Sequence, residues 1–262
     1  MFLKLLKHEF RASFRLLLPM YGGLLLLGLL TRFAVRVIGD NRALTITGTM
    51  SIVSFIIACV AAVILTMVLI IIRFSRSVHG DEGYLTNTLP IGTHGIILSR
   101  LVVAFAAQVC TFAVVLLSIG VVALDQENVH SFVRTMHMLF GGTAASFRTG
   151  LLRMVGLMIV QSLAQILQIF AAISIGHSFA NHKKGFSVLF WFVIYFTEQT
   201  VSAVLLSALM TNLLFGSAAA ANMSMSQLSG TIILLSVIEK LIVGGVCYLL
   251  TWLMMKKHLN LQ

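Results

Sequence analysis

Charged residues are scarce in this chain. Only 10% of its 262 residues are Asp, Glu, Lys or Arg, whereas a typical soluble domain carries about a quarter. Hydrophobic residues make up 59%, and the mean hydropathy is +1.02. A soluble globular fold is therefore disfavoured, and the composition is typical of a helical membrane protein with several crossings.

Cysteine is also scarce, and its positions exclude two common roles. Cys59, Cys110 and Cys247 all lie inside apolar runs, with no spacing that indicates a metal site or a disulfide framework. His130 and His137 are seven residues apart, about 10 Å along a straight helix, which is too far for both to bind one metal ion. We therefore expect no metal site and treat the cysteines as small buried hydrophobic residues.

Two further absences restrict the fold and the chemistry. The apolar runs, such as Ile52 to Ile72, do not alternate with polar residues, so a β-barrel is disfavoured. The chain contains no Gly-x-x-x-x-Gly-Lys-Ser/Thr phosphate loop, no His-Glu-x-x-His and no Gly-x-Ser-x-Gly motif. We expect no cofactor bound by this chain and no enzymatic activity of its own.

Six apolar segments are long enough to cross a bilayer, which takes about 20 residues each. They are Leu16–Val35, Ile46–Ile72, Leu101–Leu124, Met154–Ile175, Phe186–Leu206 and Thr231–Met255. No intervening stretch is long enough to fold around its own core. We therefore predict an all-α polytopic protein whose residues 1–262 form a single transmembrane domain.

Residues 1–15 have an amphipathic pattern. Apolar residues share one helical face and basic residues lie on another: Leu3, Leu6, Phe10 and Phe14 against Lys4, Lys7, Arg11 and Arg15. The segment is too charged for the apolar region of a signal peptide. It is predicted to form an interfacial helix at the membrane surface, either as a simple anchor or as part of a docking surface.

The net charge of +10 reflects topology rather than nucleic-acid binding, because the basic residues cluster at the ends of apolar segments. Six crossings put both termini on one side, which carries eleven basic residues: Lys4, Lys7, Arg11, Arg15, Arg73, Arg76, Arg100, Lys183, Lys184, Lys256 and Lys257. The other side carries six: Arg32, Arg36, Arg42, Arg134, Arg148 and Arg153. This excess predicts cytoplasmic termini, a cytoplasmic loop at 73–100 and an extracellular loop at 210–230.

Three charged residues fall inside predicted crossings. Glu198 lies in the fifth, Glu239 and Lys240 lie in the sixth, and their counted depths are similar. A contact between Glu198 and Lys240 is therefore geometrically possible. Such residues usually face a bundle interior or a wet cavity. They form part of a translocation path or a structural pair, or else the fifth crossing ends early and Glu198 lies at the outer interface.

The segment Gly80–Pro90 is a compact polar loop between the second and third crossings. Tyr84, Leu85 and Leu89 follow the acidic pair Asp81-Glu82, so the loop has apolar anchors with a polar rim, as in protein docking sites. Pro90 ends the segment, and Thr93 is the predicted N-cap of the next helix. An ordinary loop packed on its own bundle is the alternative.

The loop and the N-terminus resemble one family. Asp81-Glu82-Gly83-Tyr84-Leu85-Thr86-Asn87-Thr88-Leu89-Pro90, followed by Ile97-Leu98-Ser99-Arg100-Leu101, resembles the first cytoplasmic loop of ABC-2 type permeases from Gram-positive bacteria. Lys4-Leu5-Leu6-Lys7-His8-Glu9-Phe10-Arg11-Ala12, leading to Leu18-Pro19-Met20-Tyr21-Gly22, is similar to the opening of the same family. The motifs cover about forty residues, and the topology covers the whole chain.

This resemblance implies a permease subunit in a bacterial plasma membrane. It would pair with a second permease subunit, identical or paralogous, and with separate ABC ATPase subunits that bind ATP and Mg²⁺. The coupling contact to the ATPase would be made by Asp81, Glu82, Gly83, Tyr84, Leu85 and Leu89. Export of an amphipathic or apolar cargo is the expected activity.

Two alternatives remain at this point. One is an ATP-independent transporter or channel, although the halves 1–130 and 131–262 show no convincing repeat. The other is an intramembrane enzyme, for which Glu198 and Glu239 are the acidic candidates.

Overall fold

The computed structural model of the chain describes residues 2–37, 42–79, 92–123, 134, 145–179, 183–215 and 225–258. These residues form six long helices, which are α1 (Phe2–Val37), α2 (Arg42–His79), α3 (Thr93–Ala123), α4 (Ala145–Gly176), α5 (Lys183–Phe215) and α6 (Met225–His258). The predicted all-α fold is confirmed over this part of the chain.

Each helix is long and apolar enough to cross a membrane. The lengths range from 31 residues in α3 to 38 in α2, which correspond to about 46 to 57 Å at 1.5 Å per residue. The hydrocarbon core of a bilayer is only about 30 Å thick. The helices therefore extend beyond one crossing length, and the predicted spans lie inside them, except that Leu124 is outside the described residues.

The N-terminal helix is continuous. Residues 2–15 of the predicted interfacial segment and the predicted first crossing join in α1 without a break, and Pro19 lies inside the helix. Proline removes one backbone hydrogen bond, but membrane helices tolerate it when neighbouring groups satisfy the freed carbonyl. The location of segment 1–15 at the membrane surface stays a prediction.

The chain divides into two compact units. The first contains α1, α2 as far as Arg76, and α3 from Leu98 onward. Its core includes Leu17 and Tyr21 of α1 with Ala107 of α3. A buried hydroxyl chain lies beside this core, since the Tyr21 hydroxyl is 2.7 Å from Thr111 Oγ1, which is 2.9 Å from Thr66 Oγ1. These contacts join all three helices of the unit.

The second unit contains α4, α5, α6 and the first turn of α3. Helix α4 packs along both α5 and α6. Of its most apolar stretch 50% is buried inside the protein, whereas only 6% of the corresponding stretch of α5 is buried. Helices α4 and α6 approach each other closely at Gly244, where an added Cβ would already be in van der Waals contact with the Ala164 Cα at 3.6 Å. By contrast, a Cβ added at Gly22, Gly23 or Gly245 would meet nothing within 4 Å.

Candidate functional site

The charged residues predicted inside the crossings form a cluster in the second unit. The Lys240 ammonium of α6 donates a hydrogen bond to Glu198 Oε1 of α5 and forms an ion pair with it. Glu198 is only 5% exposed and Lys240 only 8%. The contact that the counted depths allow is therefore present, near the middle of both helices.

Gln168 of α4 is a third member that the sequence analysis missed. Its Nε2 donates a hydrogen bond to Glu198 Oε2, and its side chain is buried. Both oxygens of Glu198 are thus bonded, one from α4 and one from α6. A signal was available, because Gln161, Gln165 and Gln168 recur at helical spacing in an otherwise apolar segment.

Glu239 completes the cluster. Ser202 Oγ of α5 donates to Glu239 Oε2 at 3.1 Å, and Glu239 Oε1 lies 3.8 Å from the Lys240 ammonium. No hydrogen-bond donor reaches Oε1 among the residues that the structure describes. The site therefore contains two carboxyl groups and one amine, shielded from solvent by three helices.

This arrangement bears on the two interpretations of the cluster. Ion pairs buried in low dielectric are costly to break, because the remaining charge has no water around it. A structural role accounts for the complete bonding of Glu198. A role in a translocation path would instead use Glu239, whose Oε1 accepts no hydrogen bond among the described residues. Both interpretations stay predictions.

The predicted ATPase-contact residues Asp81, Glu82, Gly83, Tyr84, Leu85 and Leu89 lie outside the described residues. The helices on either side are described: α2 continues to His79, seven residues past Ile72, and α3 begins at Thr93. These extensions are helical over about 10 Å each. Segment 80–91 therefore follows directly after α2, and Gly92 alone separates it from α3 in the sequence.

The predicted N-cap of α3 is wrong by one residue. The Gly92 carbonyl accepts from the amides of Gly95, at 2.8 Å, and Ile96, at 3.3 Å. The residue whose carbonyl accepts the first helical bond is the N-cap, so that position belongs to Gly92 and Thr93 is the first helical residue. Glycine is acceptable there because it costs only a few tenths of a kcal/mol relative to a capping side chain.

An ion network joins the three helices of the first unit. The Glu9 carboxylate of α1 pairs with Arg100 of α3 and lies 3.7 Å from the Arg73 guanidinium of α2. Arg73 also donates to the Glu9 backbone carbonyl at 2.9 Å. The predicted topology has Arg73, Arg100 and the N-terminal segment on one side of the membrane, but no sequence pattern predicts this contact.

The first turn of α3 also contacts the end of α6, within the second unit. His94 Nδ1 is 2.7 Å from the Tyr248 hydroxyl, and the His94 ring stacks on Trp252 at a centroid distance of 5.3 Å. The Lys256 ammonium lies 5.1 Å from the centre of the Trp252 ring. His94 and Tyr248 are 154 positions apart in the chain, so no local sequence pattern indicated their contact.

The described residues include no group of three or more His, Cys, Asp or Glu side chains that could hold a metal ion. No protein-family model, curated protein or solved structure matches the chain. Over the part of the chain that the structure describes, the fold is all-helical with six helices that could each cross a membrane, which indicates a multi-pass membrane protein.

Proposed function

We propose that this chain is the membrane-spanning permease subunit of an ATP-binding cassette exporter of the ABC-2 type. ATP and Mg²⁺ would bind to a separate ATPase subunit, and a second permease chain, identical or paralogous, would complete the transporter. The cargo is amphipathic or apolar, because the predicted crossings contain few fixed charges.

The ion network of Glu9, Arg73 and Arg100 is the observation that best supports this proposal. It ties the N-terminal segment to both helices that flank the proposed coupling loop. In the family that the loop resembles, the N-terminal helix packs near that loop. The loop connects α2 to α3, and the ion network links these two helices through α1. A displacement of the loop by a partner can therefore be transmitted to α2 and α3 together.

The proposed mechanism depends on this link between the helices. ATP binding and hydrolysis in the partner would move the contact residues of segment 80–90, with Tyr84, Leu85 and Leu89 as apolar anchors. The displacement would reach α2 at His79 and α3 at Gly92, because α2 stays helical up to His79 and α3 is helical from Thr93. The permease would then shift between inward-open and outward-open states.

The test is ATP hydrolysis by a candidate ATPase subunit co-expressed and purified with this chain. Tyr84→Ala combined with Leu85→Ala should abolish assembly or lower stimulated hydrolysis at least tenfold, since both anchors would be lost. Thr86→Ala combined with Thr88→Ala is the matched control, because it changes the same loop outside the proposed contact residues. It should behave like the wild type.

The outcomes separate the possibilities. Normal membrane insertion with lost assembly supports the coupling role. If no ATPase associates with the wild-type chain, or if the anchor variant keeps full stimulation, the ABC proposal is rejected.

One observation favours a second function, an ATP-independent transporter. The buried cluster of Glu198, Glu239 and Lys240 lies near the middle of its helices, where ionisable residues often mark an ion path. Activity of the purified chain in vesicles, driven by an ion gradient with no ATP present, would support this alternative over the first.

A further inference from the structure

A surface groove of about 540 Å³ lies along the first turns of α1. Leu6, Lys7, Phe10 and Arg11 line it. Residues four apart share a helical face, so Leu6 and Phe10 form an apolar wall beside a cationic wall of Lys7 and Arg11. One groove therefore offers both an apolar surface and two positive charges.

The cations of this groove are not neutralised by the acid nearest to them in sequence. Glu9 is the only Asp or Glu in α1, and it pairs with Arg100 and Arg73 of the neighbouring helices. Two residues of helix rotate a side chain by about 200°, so Glu9 points away from Lys7. Lys7 and Arg11 are both exposed.

The apolar wall is also suited to a ligand. Phe10 is 41% exposed, although its ring stacks on Phe14 at a centroid distance of 4.1 Å. Phe14 in turn packs against the core of the first unit. The stack holds the exposed aromatic face in one position beside the cations.

We propose that this groove binds an anionic phospholipid of the surrounding bilayer. The phosphate would meet Lys7 and Arg11 through charge-assisted hydrogen bonds, and the start of an acyl chain would lie on Leu6 and Phe10. A free phosphate ion would leave the apolar wall unused, and a neutral lipid would leave the cations unpaired. The predicted topology puts this end of α1 at the cytoplasmic leaflet, which is rich in anionic lipid.

The experiment uses the full chain alone, so its result does not depend on the ATPase or on the proposed transport function. The chain is reconstituted in vesicles of phosphatidylcholine and phosphatidylglycerol and extracted in mild detergent. The lipids that it retains are then quantified by mass spectrometry. The wild type should retain phosphatidylglycerol in excess of its share in the vesicles.

Lys7→Gln combined with Arg11→Gln should remove this enrichment. Each cation contributes roughly fivefold to the affinity of a basic segment for an anionic surface, so the pair should lower affinity about 25-fold. Lys7→Arg combined with Arg11→Lys keeps both charges and should keep the enrichment. Arg36→Gln combined with Arg148→Gln removes two exposed charges elsewhere and should also keep it.

Three results would overturn the proposal. The first is an enrichment that survives Lys7→Gln with Arg11→Gln. The second is an equal loss in the Arg36→Gln with Arg148→Gln control, because the effect would then follow net charge rather than the groove. The third is a wild-type chain that retains phosphatidylglycerol only in proportion to the vesicles, which would leave the groove to another occupant such as an acidic protein segment.

Discussion

At the scale of single residues, the buried ion pair of Glu198 and Lys240 shows how a costly pair of charges is accommodated. Each oxygen of Glu198 accepts a hydrogen bond, from Lys240 and from Gln168. Removing Lys240 would leave both Glu198 and Glu239 buried without a counter-ion, whereas removing Glu198 would leave Lys240 with Glu239, 3.8 Å away.

We therefore expect strong non-additivity at this pair. Lys240→Met should lower the free energy of unfolding in detergent by about 3 kcal/mol, Glu198→Gln by less because Lys240 keeps Glu239, and the double variant by less than the sum of the two losses. A denaturant titration of all four proteins measures the coupling. Ser202→Ala is the control, since it removes only a hydrogen bond to Glu239 and should cost about 1 kcal/mol.

The same double variant separates the two interpretations of the cluster. If the pair is structural, the folded double variant should keep the ATPase activity of the assembled transporter. If the pair lines a path, that variant should fold normally and lose activity. Losses in the double variant that equal the sum of the single losses would show that the side chains do not interact.

At the scale of helices, α4 and α6 approach each other closely at Gly244. A methyl group at Gly244 would make ordinary contact with Ala164 and Leu167, at 3.6 to 3.7 Å, but nothing lies within 4 Å of Gly245. The two adjacent glycines therefore provide a matched pair for testing the close approach.

Gly244→Leu should destabilise the protein by about 1 to 3 kcal/mol, because the larger side chain forces the helices apart. Gly245→Leu should change the stability by no more than about 0.5 kcal/mol. Thermal unfolding of both variants in the same detergent provides the comparison. Equal effects of the two substitutions would contradict the observed approach of α4 and α6.

The ion pairs that link α1 to α2 and α3 can also be tested at this scale. Glu9→Gln removes the carboxylate that pairs with Arg100 and Arg73. A charged hydrogen bond contributes about 1.5 kcal/mol or more, so backbone amides in the first turns of α1 should exchange hydrogen about tenfold faster.

Arg15→Gln is the control for this experiment, since Arg15 is exposed in the same helix. Its amide exchange should match the wild type. Slow exchange in Glu9→Gln would show that α1 is held by other contacts.

At the scale of the whole molecule, the predicted topology has a direct test. In a background with Cys59, Cys110 and Cys247 replaced by alanine, Ser178→Cys lies on the predicted cytoplasmic side and Arg148→Cys on the predicted outer side. Both native side chains are exposed. A membrane-impermeant thiol reagent should label Arg148→Cys in intact cells and Ser178→Cys only after permeabilisation.

The opposite labelling pattern would place the termini outside the cell and move segment 80–90 out of reach of a cytoplasmic ATPase. The topology and the proposed function would then be rejected together. Labelling of both positions in intact cells would mean that the segment between them does not cross the membrane.

The sequence alone determined the helical class and the positions of the six long helices. Backbone groups in lipid must bond within their own segment, so an apolar run of about 20 residues has few other folds available. Counting residues from the span ends also brought Glu198 and Lys240 to the same depth. These inferences depend only on local composition and on the rise of a helix.

Tertiary structure decided which side chains meet. Gln168 on Glu198, Glu9 between Arg73 and Arg100, and His94 on Tyr248 join residues far apart in the chain. Such contacts depend on how each helix is rotated and on how closely two helices approach, as at Gly244. Neither quantity is encoded in a local pattern, because it results from the packing of all neighbouring side chains at once.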